Sequence, residues 1–147
     1  MSDYVLAQLN IAKMRYTYEA SEMADFVNNL DRINQLAEQA PGFVWRYLGD
    51  EAEELEVFGP GILVNCSTWE DIDSLHHYIF HTAHVEIMRR RKEWFDSLEI
   101  HSVMWWHRGD KPPALSEAKR RLEMLGVDGD REEAFSFRKR FAKPVDS

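Results

Sequence analysis

The sequence predicts an α+β fold: a ferredoxin-like βαββαβ sheet with helices on one face, followed by an extra C-terminal helix and an extended arm. Three observations predict it. Four separate stretches alternate apolar and other residues with period two, the pattern of strands. Two longer stretches between them switch to the helical period. The order in which the two patterns occur along the chain is β-α-β-β-α-β.

The first strand is YVLAQLNIAKM, residues 4–14. Val5, Ala7, Leu9 and Ile11 point one way, and Tyr4, Leu6, Gln8, Asn10 and Ala12 the other. Residues 21–39 form the first helix, with Met23, Phe26, Val27, Leu30, Ile33 and Ala37 in one stripe. Ser21 is placed to cap it, Glu22 and Asp25 suit its positive end, and Pro41-Gly42 ends it. FVWRYL, residues 43–48, is the second strand, with Phe43, Trp45 and Tyr47 on a shared face. The acidic run GDEAEE reads as a solvated turn. Residues 55–69 hold the third strand, bent at Gly59-Pro60-Gly61 before ILVNCSTW. The next helix is capped at Ser67 or Thr68 and runs over 70–80 and 83–98, with Thr82 placed to divide it in two. IHSVMWWH, residues 100–107, is the fourth strand. Lys111-Pro112-Pro113 links to a helix over LSEAKRRLEML, capped by Ser116 and ended by Gly126. The tail EAFSFRKRF spaces Phe135, Phe137 and Phe141 evenly, as a docking arm would.

Two helices cover one face of a four-stranded sheet, yet these strands carry apolar side chains on both. The second face needs a cover, most simply the same face of a second subunit. The expectation is a homodimer whose sheets face each other around an apolar space. At 147 residues the chain is long enough for one domain with its own core. A net charge of −8 disfavours a nucleic-acid or anionic-membrane partner. The lone cysteine, Cys66, permits neither a disulfide framework nor a Cys-based zinc site. With no secretory leader pattern and no window near the ~18 apolar residues of a membrane span, a cytoplasmic protein is expected.

One helix breaks its own pattern. Stepping about 100° per residue from Phe80, the side chains of Ala83, Ile87, Trp94 and Leu98 fall within about 60° of one line. His84 and Arg91 lie about 40° and 20° from that line, among the apolar residues. Two readings follow. His84 can be a core histidine bonded to a backbone carbonyl, with Arg91 burying its stem and extending its head to the sheet edge. Alternatively both line a cavity and meet the polar part of an otherwise apolar ligand. His77, His81 and His84 have i, i+4, i+7 spacing, but no carboxylate joins that stripe, and no metal is expected. Motifs for a P-loop, a dinucleotide fold or a serine hydrolase are absent from the sequence. Cys66 reads as a small core residue.

LAQLNIAKMRY, LVNCSTWEDIDSL, AHVEIMRRRKEWF, the MWW strand and FSFRKRF together resemble a bacterial domain-of-unknown-function family, DUF3291, over nearly the whole chain. That family is identified as a member of the dimeric α+β barrel superfamily, and resembles the antibiotic-biosynthesis monooxygenases. The resemblance implies residues 1–110 as a ferredoxin-like α+β barrel domain, with 111–147 as the C-terminal helix and docking arm of the same domain. It also implies a small-molecule-binding protein, with a cofactor-independent monooxygenase, or an isomerase or cyclase, as the enzymatic form. The substrate would be aromatic or polyketide-like. His84 would act as general base or orient the substrate oxygen, and Arg91 would stabilise an enolate or phenolate. Tyr78, Trp69, Trp94, Trp105 and Trp106 would supply walls, unless they are plain core. No cofactor is implied by that reading. Haem-degrading relatives imply an alternative with haem, in which Asn10 and His84 match the family's Asn and His. Its Trp position is occupied by Tyr78, a departure from that pattern. A non-catalytic ligand-binding or dimerisation module is the third alternative.

Overall fold

The computed structural model describes residues 4–82, 84–98 and 100–145. In chain order the elements are β1 (Tyr4–Met14), α1 (Ala24–Gln39), β2 (Phe43–Arg46), α2 (Glu51–Phe58) and β3 (Ile62–Trp69). Then come α3 (Ile72–His81), α4 (His84–Arg89), α5 (Arg91–Trp94), β4 (Phe95–Asp96), β5 (Ser102–Arg108) and α6 (Leu115–Asp128). They build a mixed α+β fold around a five-stranded antiparallel sheet. β1 is central. It pairs with β3 from Leu6↔Trp69 to Lys13↔Ile62 and with β5 from Tyr4↔Arg108 to Asn10↔Ser102. Where β5 ends, the short β4 takes over at Lys13↔Asp96 and Met14↔Phe95. β2 lies outside β3. Beyond β5 the arm adds a bridge: Met104 and Phe135 exchange backbone hydrogen bonds of 2.8 and 2.9 Å.

The alternation in β1 and β3 sorts side chains as their sequences predict. Ala7, Leu9 and Cys66 go to one face, and Leu6 and Trp69 to the other. β2 departs from its predicted pattern. Its pairing with β3 shifts register between Phe43 and Trp45. This bulge sends Phe43 to the Trp69 face and leaves Trp45 and Tyr47 on the Cys66 face, so the three aromatics do not share a side.

Helices cover both faces of the sheet, not one. α1 and α3 lie on the Trp69 face, through Ala37, Leu75 and Tyr78. On the Cys66 face, Leu115, Ala118 and Leu122 of α6 pack beside Val57 and Phe58 of α2. Apolar residues of the second face thus meet cover from their own chain, which removes the reason for expecting another subunit there. α2 occupies the run read as a solvated turn. The Asp50 side chain accepts from the Glu53 amide at 3.2 Å, and Glu51, Glu53 and Glu54 sit at the positive end of the helix.

Other boundaries shift for local reasons. Ser21 opens a 3-10 turn, Ser21–Met23, and its hydroxyl bonds Glu22 instead of capping α1. Ser67 and Thr68 remain in β3, and Asp71 caps α3 by accepting from the Ser74 amide at 2.8 Å. α6 runs through Gly126 and ends at Gly129. Gly42 is required for a close approach: its φ is +84°, its carbonyl accepts from Glu70, and a Cβ there would collide with the Ser74 side chain. Among the described residues, no helix is long and apolar enough to cross a membrane.

Candidate functional site

The two faces differ in how they are filled. On the Cys66 face a hydrophobic core surrounds Trp105, which is fully buried. Over the Trp69 face, α1, α3 and α4 stand off the sheet, and a cavity of about 760 Å³ is left beneath them. Its floor is a polar row in the middle of the sheet. Gln8 donates through its amide nitrogen to Asn65 Oδ1 and to Ser67 Oγ, both at 2.8 Å. Trp69 donates through its indole nitrogen to the same Ser67 oxygen at 2.9 Å. These positions follow from β1 and β3 register, because Gln8 faces Ser67 directly. The roof is apolar, with Leu30 and Ile33 from α1, Leu75 and Ile79 from α3, and Ile87 and Met88 beyond. A polar floor under an apolar roof suits a largely apolar molecule with oxygen or nitrogen groups along one edge.

The helix that carries His84 is not continuous. The Thr82 hydroxyl donates to the Tyr78 carbonyl at 2.6 Å and accepts from the His84 amide at 3.2 Å, which ends α3 and starts α4. A second break at Arg90 separates α4 from α5. His84 turns inward and lines the cavity, its ring 5.1 Å from that of Tyr78. Its Nδ1 is buried without a hydrogen-bond partner. Burial holds the ring pKa below the ordinary value, while a hydrogen-bonding contact with the Ile79 backbone pulls the other way, so the imidazole is biased to its neutral form. Tyr78 stacks on Trp69 with ring centroids 5.2 Å apart, and its hydroxyl donates to the Ile33 carbonyl at 3.1 Å. Burial pushes this phenol up to about 12, partly offset by the Arg46 guanidinium.

Of the predicted site residues, Asn10, Trp69, Tyr78, His84 and Arg91 line this one cavity. Arg91 is solvent-exposed, so the wheel placed it too deep: the break at Arg90 ends the straight helix on which that angle depended. Trp94, Trp105 and Trp106 are not cavity walls. Trp94 is packed with Met23 and Phe26, and Trp105 fills the opposite face. Trp106 packs toward the arm, donating from its indole to the Phe141 carbonyl at 2.8 Å. Strand alternation explains the split, since Trp105 and Trp106 are neighbours and must point to opposite sides. His77 and His81 stack on the exposed side of α3, away from His84. Among the described residues, no three His, Cys, Asp or Glu side chains converge to hold a metal ion.

Sequence reasoning missed the floor residues Gln8, Asn65 and Ser67, and it missed Arg46. The bulge in β2 sets it opposite Ser67 on the cavity face. A charged residue in an otherwise aromatic strand was the available signal.

Residues 5–147 match the family described as a domain of unknown function, DUF3291, and the chain belongs to that family. No curated protein matches the chain. Among solved structures, the fold is similar to that of NE2512, a protein of unknown function from Nitrosomonas europaea. The TM-score is 0.50 at 14% identity, over 76% of this chain and 97% of that one.

Proposed function

We propose that the protein binds a small, largely apolar or aromatic molecule in the cavity between the sheet and α1, α3 and α4. The observation that carries this reading is the hydrogen-bonded row of Gln8, Asn65 and Ser67 beneath the space. Polar side chains in the middle of a sheet face are costly in a closed core and useful to a ligand. The strand order β5–β1–β3–β2, antiparallel throughout, is that of a ferredoxin-like split βαβ unit, and supports placing the chain among α+β barrel proteins.

The enzymatic form of this reading is a cofactor-independent monooxygenase, isomerase or cyclase. Its support is His84: a neutral, partly buried imidazole beside Tyr78 can accept a proton from an acidic phenol or enol. Asn10 would orient the substrate oxygen at the floor's end, and Arg91 would meet developing negative charge at the mouth. The haem alternative rests on the same unpartnered ring nitrogen.

The test of binding is a titration with the neutral apolar fluorophore N-phenyl-1-naphthylamine. Saturable binding, with energy transfer from tryptophan and loss in the space-filling variant Leu30→Trp, is the expected result. Absence of saturable binding overturns the reading. Oxygen uptake with polycyclic phenols, lost in His84→Ala, would select the oxygenase form. A sharp Soret band with haemin, abolished in the same variant, would select the haem alternative.

A further inference from the structure

We infer that the cavity is built for an acidic ligand, an apolar body carrying a carboxylate or other oxyanion, and that Arg46 is the group that anchors the acid. This deepens the binding reading above and rests on it.

The argument starts from charge. The chain as a whole carries −8, so an anion is repelled by its long-range field. The cavity lining has the opposite bias. Its carboxylates are engaged: Glu54 accepts from the Tyr47 hydroxyl at 2.9 Å and the Asp50 amide at 3.0 Å, and Asp96 pairs with Arg15 at 3.3 Å. Its cations are Arg46, Arg91 and Lys92. Among the described residues, Arg91 and Lys92 have no ion-pair partner, but both are exposed.

Arg46 is different in kind. Its side chain is 23% exposed and lies between the sheet and α1. Its Nε is buried and unbonded. The neighbouring carboxylate, Glu38 of α1, stands 3.6 Å from Nε, beyond hydrogen-bond length, and is itself 46% exposed. One Nη reaches the Tyr47 carbonyl at 3.5 Å, the outer limit of a contact. A guanidinium with donors to spare stands opposite Ser67, beside the Ser67–Gln8 row. A planar fork in that position matches a carboxylate in two-point geometry. The apolar body of the ligand then extends under Ile33, Leu75 and Ile79 toward His84.

The test uses a matched pair of probes. N-phenyl-1-naphthylamine is neutral, and 8-anilinonaphthalene-1-sulfonate is the same skeleton with one oxyanion. The wild-type protein is expected to bind the anionic probe at least about tenfold more tightly, the scale of a charge-assisted contact. Because the protein is acidic, no preference or the reverse preference would overturn the inference. In Arg46→Gln the ratio of the two affinities should collapse toward one. In Glu38→Gln, which removes the competing carboxylate and needs no new fold, it should hold or rise. A ratio untouched by Arg46→Gln, or abolished instead by Arg91→Gln, overturns the assignment to Arg46. Failure of both probes to bind is a different result: it overturns the cavity reading itself.

Discussion

On one face of the sheet, Ala7, Leu9, Cys66 and Trp105 meet Leu115, Ala118 and Leu122. On the other, Gln8, Ser67, Asn65 and Arg46 look across open space at α1, α3 and α4. Both faces come from the same strands, residue by residue. The first cover consists of one long helix and one short, well-capped one. The second is a chain of pieces, broken at Thr82 and Arg90. Chemistry follows the same division. Burial, with a smaller push from Glu117, raises the Cys66 thiol to about 12, so this cysteine is inert packing. Its neighbour Ser67 accepts two hydrogen bonds at the cavity floor. The packed core and the polar floor lie on opposite sides of a single strand layer.

The largest predicted effect breaks the closed face. Trp105→Ala should cost about 3–5 kcal/mol, read as a lower urea midpoint, because it empties the middle of that core. Trp105→Phe should cost much less, since the indole Nε1 is buried without a partner and its removal leaves nothing orphaned. On the cavity side, Ser67→Ala should cost about 1–3 kcal/mol by stranding the Trp69 and Gln8 donors. A cost near zero there would mean that water reaches the floor freely. Asp50→Ala should cost about 1 kcal/mol, read as a lower urea midpoint, by uncapping α2.

The smallest effect is on pH dependence. The His84 pKa in the fold lies below its ordinary value of 6.5, chiefly through burial. The unfolded chain therefore takes up the proton first on acidification. Stability from the neutral ring is complete above that ordinary value and is lost as pH falls through the folded one. Urea midpoints followed from neutral to mildly acidic pH should drop more in wild type than in His84→Asn. His76 is depressed in the same direction and contributes to the remainder.

β1 was legible to its ends, because strict alternation over residues 4–14 admits no other element. The break at Thr82 was legible as well. α2 was not, because Asp and Glu open a helix as readily as they populate a solvated turn, and its Val57 and Phe58 look the same in either. The faces of β2 were hidden by a bulge, which no alternation rule anticipates, and with them Arg46. The depth of Arg91 was misjudged because a wheel assumes one axis, while residues 72–94 have several. Trp69 could be placed at the site by register once β1 was fixed; Trp94 could not, since α5 turns it toward Met23 and Phe26.

β1 writes both faces in one line of text: Ala7, Leu9 and Ile11 belong to the packed core, and Gln8, Asn10 and Ala12 line the cavity. An insertion or deletion of one residue near its middle would therefore exchange the two meanings for everything that follows. Ile11 would be carried toward the polar row and Asn10 or Ala12 into the packed layer. Substitutions in β1 can tune either face separately, but its length cannot drift. β3 carries the same constraint, with Cys66 on the packed face and Ser67 on the floor.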